Sequence, residues 1–251
     1  MTPRTFAVLC AVTLLAGCGG GLGGGGWGWY VVDPSTPAGR SNLLFLIGGL
    51  GDTLALSATA MAFSITAGLL VALPGIGKNR WGRRFNRIYV EVVRAVPILV
   101  LILWVYYGLP VVIGITFTVF WSGVIALALS DSAFEAEIFR AGIEGVPKGQ
   151  VEAAQTVGLS WAQTMRYVVL PQALRRILPP LGNQFVYMLK MSALVSIIGM
   201  QELTRRANEL VVVEYRPLEI YTILVLEYLV LILIVSQGVR WLERRLNAGE
   251  R

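Results

Sequence analysis

Residues 95–130 contain no charged side chain over 36 consecutive positions. A water-soluble domain carries about a quarter charged residues, whereas 14% of this 251-residue chain is charged and 55% is hydrophobic. Uninterrupted apolar stretches of roughly 18 residues or more are typical of helices that cross a bilayer. This stretch is too long for one such helix, so the sequence predicts an all-α polytopic membrane protein.

The apolar stretches and the basic residues together predict the topology. We expect five spans. The first is residues 54–73, the fourth is residues 181–200 and the fifth is residues 220–239. The second and third are the two helices of a hairpin within residues 95–130, which breaks near residues 108–110 and 114. Basic residues favour the cytoplasmic ends of spans, and the densest basic segment follows the first span: Lys78, Arg80, Arg83, Arg84 and Arg87. This segment, the segment 141–180 and the tail 246–251 are therefore predicted to be cytoplasmic. The net charge of +6 then reflects topology and not a nucleic-acid partner.

The first fifty residues differ from the rest of the chain. Arg4 precedes a short apolar run at residues 6–16, and small residues follow up to Cys18. Residues 1–22 therefore form either a signal-like segment or an extra apolar segment that is retained. Residues 23–50 are rich in glycine and proline, and we interpret them as an extracytoplasmic linker.

Composition excludes several kinds of chemistry. The chain has no histidine, and its two cysteines, Cys10 and Cys18, both lie near the N-terminus. A Cys/His metal site and imidazole catalysis are therefore excluded. The pair Gly77-Lys78 lacks the upstream glycine spacing of a phosphate-binding loop. We expect no metal, no cofactor and no ATP hydrolysis by this chain itself.

Local signals in the predicted cytoplasmic segment before the fourth span favour two short helices. Pro147 suits the first turn of a helix, and Gly158 suits the left-handed residue that ends one. Ser160 and Gln163 have the spacing of a capping box, which begins a second helix. We expect Pro171 to end that second helix. A stiff exposed element of this kind suits docking on a partner better than it suits catalysis.

This segment resembles the EAA loop of the permease subunits of ATP-binding-cassette (ABC) importers. The family pattern is E-A-A, three residues, G, nine residues and I-x-L-P. In this chain Glu152-Ala153-Ala154 is followed by Gly158 and by Leu170-Pro171. Val168 takes the place of the isoleucine.

Residues 51–245 also resemble the polar amino-acid uptake branch of that family. The matching blocks occur in the order of the family: Gly51 and Thr53 for G-x-T, Arg94 and Pro97 for R-G-T-P, residues 106–110 for Y-Y-G-L-P, residues 133–140 for A-[YF]-x-A-E-x-x-R, Gly149-Gln150 for G-Q, residues 171–173 for P-Q-A, and residues 190–194 for K-D-T-[SA]-L. Ala95, Val96 and Met191 depart from these patterns.

The resemblance implies a five-helix type I ABC permease core over residues 51–245, in the bacterial inner membrane. A cytoplasmic ATPase dimer would dock on the coupling loop 145–171, beside a second permease chain that is identical or paralogous. An extracytoplasmic binding protein would deliver a polar amino acid. The residues that the resemblance assigns to ATPase coupling are Gly149, Gln150, Glu152, Ala153, Ala154, Gly158, Leu170 and Pro171.

Lys190 is a candidate for the transport pathway. Ionisable groups at depth in a membrane are costly and usually face the bundle interior. Lys190 either lines the pathway near Ser192 and holds a substrate carboxylate, or pairs with Glu227, or extends to the membrane interface.

Asp131 and Glu135 form a second candidate pair, four residues apart on one helical face. Two carboxylates would attract a cationic amino acid. The alternative is a local charge network with Glu137 and Arg140.

Two other classes of function compete with the importer subunit. A secondary, ion-coupled amino-acid transporter normally carries internal repeats with matching broken helices, and the sequence contains no evident inverted repeat. A membrane enzyme would need a nucleophile–base pair or a metal cluster, and neither is present in the sequence.

Overall fold

The computed structural model describes residues 28–76 and 79–247, and the regular structure within these ranges is entirely helical. The α-helices in chain order are α1 (Pro37–Ile47), α2 (Gly49–Ile76), α3 (Arg80–Ala95), α4 (Ile98–Leu103), α5 (Leu109–Ile113), α6 (Val119–Glu144), α7 (Lys148–Thr156), α8 (Trp161–Thr164), α9 (Leu170–Met191), α10 (Leu203–Glu214) and α11 (Pro217–Asn247). Short 3-10 segments lie at Trp29–Val32 and Ser192–Ile198. π-helical turns join α4 to α5 (Trp104–Gly108) and α8 to α9 (Met165–Val169).

The described helices agree with a five-helix membrane core. Four stretches are long and apolar enough to cross a membrane: Pro37–Ile76, Val119–Glu144, Trp161–Ile198 and Pro217–Arg245. A fifth candidate is the pair Arg80–Ala95 and Ile98–Ile113, which is long and apolar enough only when the two helices are taken together and which is bent by 92° at the break. The predicted polytopic all-α class is therefore confirmed.

Helices α2 and α6 form the most extensive contact in the bundle. A Cβ atom added at Gly68 of α2 would lie 2.4 Å from the Cβ of Glu135 in α6, and one added at Gly123 of α6 would lie 2.7 Å from Val195. Small residues let two backbones approach closely, which is the usual basis of helix association in lipid.

The buried apolar residues of the described part of the chain form four clusters, one of which joins α9, α10 and α11 through Leu189, Leu203 and Leu231. The cluster in the middle of the bundle joins α2, α4, α6 and α9, and the cluster at the α7 end joins α2, α3, α6 and α9. The opposite end is formed by the 3-10 turn at residues 29–32 together with α1, α10 and the start of α11. The α7 end and the α10 end therefore lie at opposite ends of the bundle, with the candidate membrane spans between them.

The linker interpretation of residues 23–50 is wrong for most of residues 28–50, the part of this segment that the structure describes. Thr36 caps α1 by accepting a hydrogen bond from the Gly39 N–H at 3.0 Å. Val31, Val32 and Leu46 are buried against α10 and α11. Packing against helices far away in the sequence orders a segment whose composition is typical of a linker. The predicted signal-like segment, both cysteines and Gly77-Lys78 lie outside the described residues.

The hairpin between the second and third spans turns at one position. Gly114 has φ of +72° and ends α5, as expected, and Thr118 caps α6. The predicted break at 108–110 is wrong, because the π-helical turn before Pro110 lets the helix continue around a residue that has no N–H to donate. The basic segment that follows α2 is also a helix, α3, where the sequence indicated a loop.

Candidate coupling surface and transport pathway

Helix α7 ends in a complete Schellman motif. Gly158 has φ of +84°. Its N–H donates to the Gln155 carbonyl at 3.0 Å, and the Leu159 N–H donates to the Ala154 carbonyl at 3.1 Å. These two bonds satisfy carbonyls that a helix end leaves without partners. The turn predicted at Gly158 is confirmed, and its geometry leaves little freedom between α7 and α8.

A reciprocal capping box begins α8 directly after that turn. The Gln163 N–H donates to Ser160 Oγ at 3.3 Å, and the Ser160 N–H donates to Gln163 Oε1 at 2.8 Å. The predicted box is therefore present. Two bonded caps three residues apart stiffen the junction from both sides.

The second helix does not end at Pro171. Trp161–Ile198 is one continuous helical stretch, and Pro171 is the second residue of α9. The π-helical turn Met165–Val169 lies directly before it, so the stretch passes the proline by widening locally. The coupling segment is consequently a short helix joined to the start of a membrane-crossing one.

Most residues assigned to coupling lie on the surface of this segment. Gly149, Gln150, Glu152 and Ala153 are exposed on α7, whereas Ala154 is buried. Gly158, Leu170 and Pro171 are exposed beyond it.

Two large apolar side chains flank the turn and are also exposed. Val157 is 77% exposed and Trp161 is 73% exposed. Val146 and Val151 hold the opposite side of the segment in the apolar cluster at this end of the bundle. A fixed surface with exposed apolar groups is typical of a protein interface.

Charged side chains hold the junction between the end of α6 and the start of α7. Arg140 pairs with Glu137 at 2.9 Å and with Glu144 at 2.7 Å. Arg176 of α9 donates to the Gly145 carbonyl. These contacts tie the start of α7 to two membrane-crossing helices. The predicted charge network therefore exists, but it excludes Asp131 and Glu135.

Asp131 and Glu135 lie instead inside the bundle. Ser64 of α2 donates to Asp131 Oδ2 at 2.9 Å, and the Gln184 side chain of α9 donates to Oδ1. Glu135 has no exposed surface, and neither of its carboxyl oxygens has a hydrogen-bond donor among the described residues. Three helices thus meet around two buried acidic side chains.

Lys190 and Ser192 do not join that cluster. Lys190 lies in the last turn of α9 and is exposed, and six residues, or about 240° of helix rotation, separate it from Gln184. Ser192 is buried and donates to the Leu189 carbonyl at 2.8 Å. Within the described ranges Lys190 forms no ion pair with Glu227, whose carboxyl oxygens have no hydrogen-bond partner there.

Sequence reasoning missed Ser64, Gln184 and Arg176. Ser64 and Gln184 are polar residues in apolar stretches, and this placement is the sequence signal that points to a role inside the bundle. For Arg176 the chain offers no comparable signal, because its acceptor is a backbone carbonyl 31 residues away. Among the described residues there is no group of acidic side chains suited to a metal ion.

Comparison with known proteins agrees with this architecture. Residues 64–248 match the family described as binding-protein-dependent transport system inner membrane component. The chain is 34% identical over 220 residues to the glutamine transport system permease protein GlnP of Escherichia coli K12, covering 87% of this chain and 97% of that one. It is 36% identical over 206 residues to the probable glutamine ABC transporter permease protein GlnM of Bacillus subtilis, covering 82% and 95%.

A solved structure shares the fold. The crystal structure of an amino acid ABC transporter with histidines includes a chain that superposes with a TM-score of 0.77 at 41% identity, covering 82% of this chain and 96% of that chain.

The multi-pass helical bundle and the family match define a multi-pass component of the bacterial inner membrane. The chain belongs to the binding-protein-dependent transport system inner membrane component family and is a permease subunit of an ABC importer. Permeases of this family operate with an ATPase subunit and a substrate-binding protein.

Proposed function

We propose that this chain imports polar amino acids as a non-catalytic subunit and that residues 145–171 receive the movement of the ATPase. The names of its relatives, which describe glutamine and amino-acid transport, support the substrate class. The observation that carries the coupling role is the capped turn at Gly158, which joins exposed α7 to a stretch continuous with α9.

The geometry supports a lever mechanism. Trp161 and Gln184 lie on the same helical stretch, about 35 Å apart along its axis at 1.5 Å per residue. Gln184 in turn bonds Asp131 of α6. A movement of α7 imposed by an ATPase would therefore turn or tilt α9 and act on the junction of α2, α6 and α9. Rigid-body movement of packed helices is a common form of such switching.

We further propose that Asp131 and Glu135 belong to the pathway, where a carboxylate would pair with the α-ammonium group of the substrate. Both side chains are buried in this conformation, so the pathway opens to them only when the helices move. Lys190 and Ser192 lie outside this cluster, and we propose them as further residues of the pathway, with Lys190 as the partner of the substrate carboxylate.

The assembly that we propose contains two permease chains, identical or paralogous, above an ATPase dimer and below a binding protein. Affinity purification of the tagged full-length chain from its native membrane tests this composition. We expect an ATPase to co-purify and a binding protein to stimulate its ATP hydrolysis. Recovery of the chain alone, with ion-driven uptake, would instead support a secondary transporter.

The coupling role is tested by Glu152→Lys, with Gln155→Lys on the same exposed helix as the matched control. We expect Glu152→Lys to lower the stimulated rate of ATP hydrolysis about tenfold, which corresponds to about 1.4 kcal/mol of activation free energy. The control should retain most of the activity. Equal losses in both variants would show that Glu152 has no specific role.

The pathway role is tested by uptake kinetics of Asp131→Asn and Glu135→Gln, with Glu91→Gln on the exposed surface of α3 as control. Loss of a charge-assisted contact should raise the KM for uptake roughly ten- to a hundredfold while the ATPase stays associated. Lys190→Met should raise it similarly. Unchanged KM values would remove these side chains from the pathway.

A further inference from the structure

Helix α3 presents three different faces. Its inner face packs on the bundle through Asn86, whose side chain donates to the Val71 carbonyl at 3.0 Å, and through buried Val90. A second face is an apolar stripe that remains exposed, spaced four, three and four residues apart: Trp81, Phe85, Ile88 and Val92. This spacing places the four side chains on one side of the helix.

The third face carries exposed arginines. Arg80, Arg83, Arg84 and Arg87 surround a cavity of about 500 Å³ together with Ile88. Within residues 28–76 and 79–247, none of these four arginines forms an ion pair with an acidic side chain. Arg80 instead lies 5.7 Å from the centre of the Trp81 ring. Arg83 and Arg87 also line a neighbouring cavity that contains Glu91, Glu137 and Glu144. The first cavity has four guanidinium groups and no acidic residue in its lining, which favours an anionic occupant.

The orientation of α3 indicates where in the membrane system that anionic occupant would lie. In the predicted five-span topology the stretch 98–113 lies in the membrane, and the axis of α3 is bent by 92° from that stretch. A crossing of this stretch near the membrane normal would leave α3 along the membrane surface, at the end of the bundle that carries α7. A helix in this plane, with an apolar stripe beside a basic face, is typical of one that lies in the lipid interface.

We propose that α3 binds anionic phospholipid, with the headgroup phosphate among Arg80, Arg83, Arg84 and Arg87 and the acyl chains along the apolar stripe. Basic clusters on amphipathic helices attract the anionic lipids of the cytoplasmic leaflet. A soluble protein partner fits less well. A partner that bound only the arginines would leave the apolar stripe in water, and a partner that covered the stripe would have to reach into the lipid.

Native mass spectrometry of the purified full-length chain tests this site. The chain receives phosphatidylglycerol or phosphatidylcholine with identical acyl chains, and the ratio of the bound lipids is measured. We expect selective retention of phosphatidylglycerol. The triple variant R80Q/R84Q/R87Q should lose this selectivity, by up to about fivefold for each arginine removed. The triple variant R80K/R84K/R87K should keep most of it.

The matched control is R240Q/R244Q/R245Q, which removes three arginines from the end of α11. It should keep the selectivity, and an equal loss would overturn the proposed site in favour of general charge attraction. Displacement of the lipid by an equal concentration of glycerol phosphate would overturn the lipid as the occupant. An unchanged ratio in R80Q/R84Q/R87Q, with loss of a co-purifying protein, would assign this face to that protein instead.

If the triple variant does not fold, the single variant Arg84→Gln decides in its place. A ratio lowered up to about fivefold supports the site, and an unchanged ratio overturns it.

Discussion

Gly158 adopts a backbone conformation that side chains with a Cβ atom disfavour. Its φ of +84° places it in the left-handed region, and a Cβ at this position would meet no atom within 4 Å. The requirement for glycine therefore comes from the backbone and not from crowding. Gly149 in the same segment also has open space around it, but it lies inside α7.

We predict that Gly158→Ala destabilises the coupling turn by about 1–2 kcal/mol and lowers binding-protein-stimulated ATP hydrolysis. Gly149→Ala should leave local stability unchanged or raise it by up to about 1 kcal/mol, because alanine has a higher helix propensity than glycine. Thermal unfolding of both variants measures the change in stability, and an ATPase assay of Gly158→Ala measures the loss of hydrolysis. The interpretation fails if the two substitutions change stability alike.

Glu202 caps α10 from a buried position at the opposite end of the bundle. Its carboxylate accepts the Arg205 N–H at 2.7 Å and the Tyr228 hydroxyl at 2.8 Å. Burial raises the pKa of Glu202 above its ordinary value, although these hydrogen bonds oppose the shift. The folded state therefore binds this proton more tightly than the unfolded state does.

The raised pKa of Glu202 predicts a pH-dependent contribution to stability. Below the ordinary glutamate pKa the contribution is fully present, and it is lost as pH rises through the raised pKa of the folded state. We expect the Tm of the native protein to fall relative to that of Glu202→Gln as pH rises from the ordinary glutamate pKa through the raised pKa of the folded state. A Tm difference that is constant over this range would contradict the raised pKa.

At the scale of elements, the junction of α7 and α8 derives its stiffness from local hydrogen bonds. The capping box and the Schellman motif involve residues within five positions of each other. Their spacing is therefore visible in the sequence. The continuation of the helix through Pro171 is not, because a widened turn can offset the missing N–H.

A double-mutant cycle measures the capping box. We predict that Ser160→Ala costs about 1 kcal/mol and that Gln163→Ala adds less in its presence than alone, because the two side chains bond reciprocally. Thermal unfolding of the single and double variants gives the coupling energy. Gln155→Ala, a substitution of the same kind on α7, serves as control. Strict additivity would show that the box contributes nothing as a unit.

At the scale of the whole molecule, the close approach of α2 and α6 places the buried acidic side chains. Besides its contact with Glu135, a Cβ at Gly68 would lie 2.9 Å from the Ser132 carbonyl oxygen. Any larger residue must therefore separate the two helices. Gly51, on the same helix, has open space where its Cβ would lie.

We predict that Gly68→Ala lowers stability by about 1–3 kcal/mol, the usual cost of overpacking, and impairs uptake by displacing Glu135. Gly51→Ala should have little effect on either. Thermal unfolding in detergent and uptake in vesicles compare the two variants. Native stability and uptake in Gly68→Ala would show that this contact can relax without consequence.

The sequence by itself determined the membrane class, the approximate spans and the capped turn of the coupling segment. These features depend on hydropathy, on charge placement and on hydrogen bonds between near neighbours. The tertiary structure alone decided that Asp131 bonds Ser64 and Gln184, 67 and 53 residues away. It also decided that Asn42 of the supposed linker bonds Glu214, 172 residues away. Local patterns specify which face of a helix is apolar, but the helix that covers that face is selected only when the whole bundle packs.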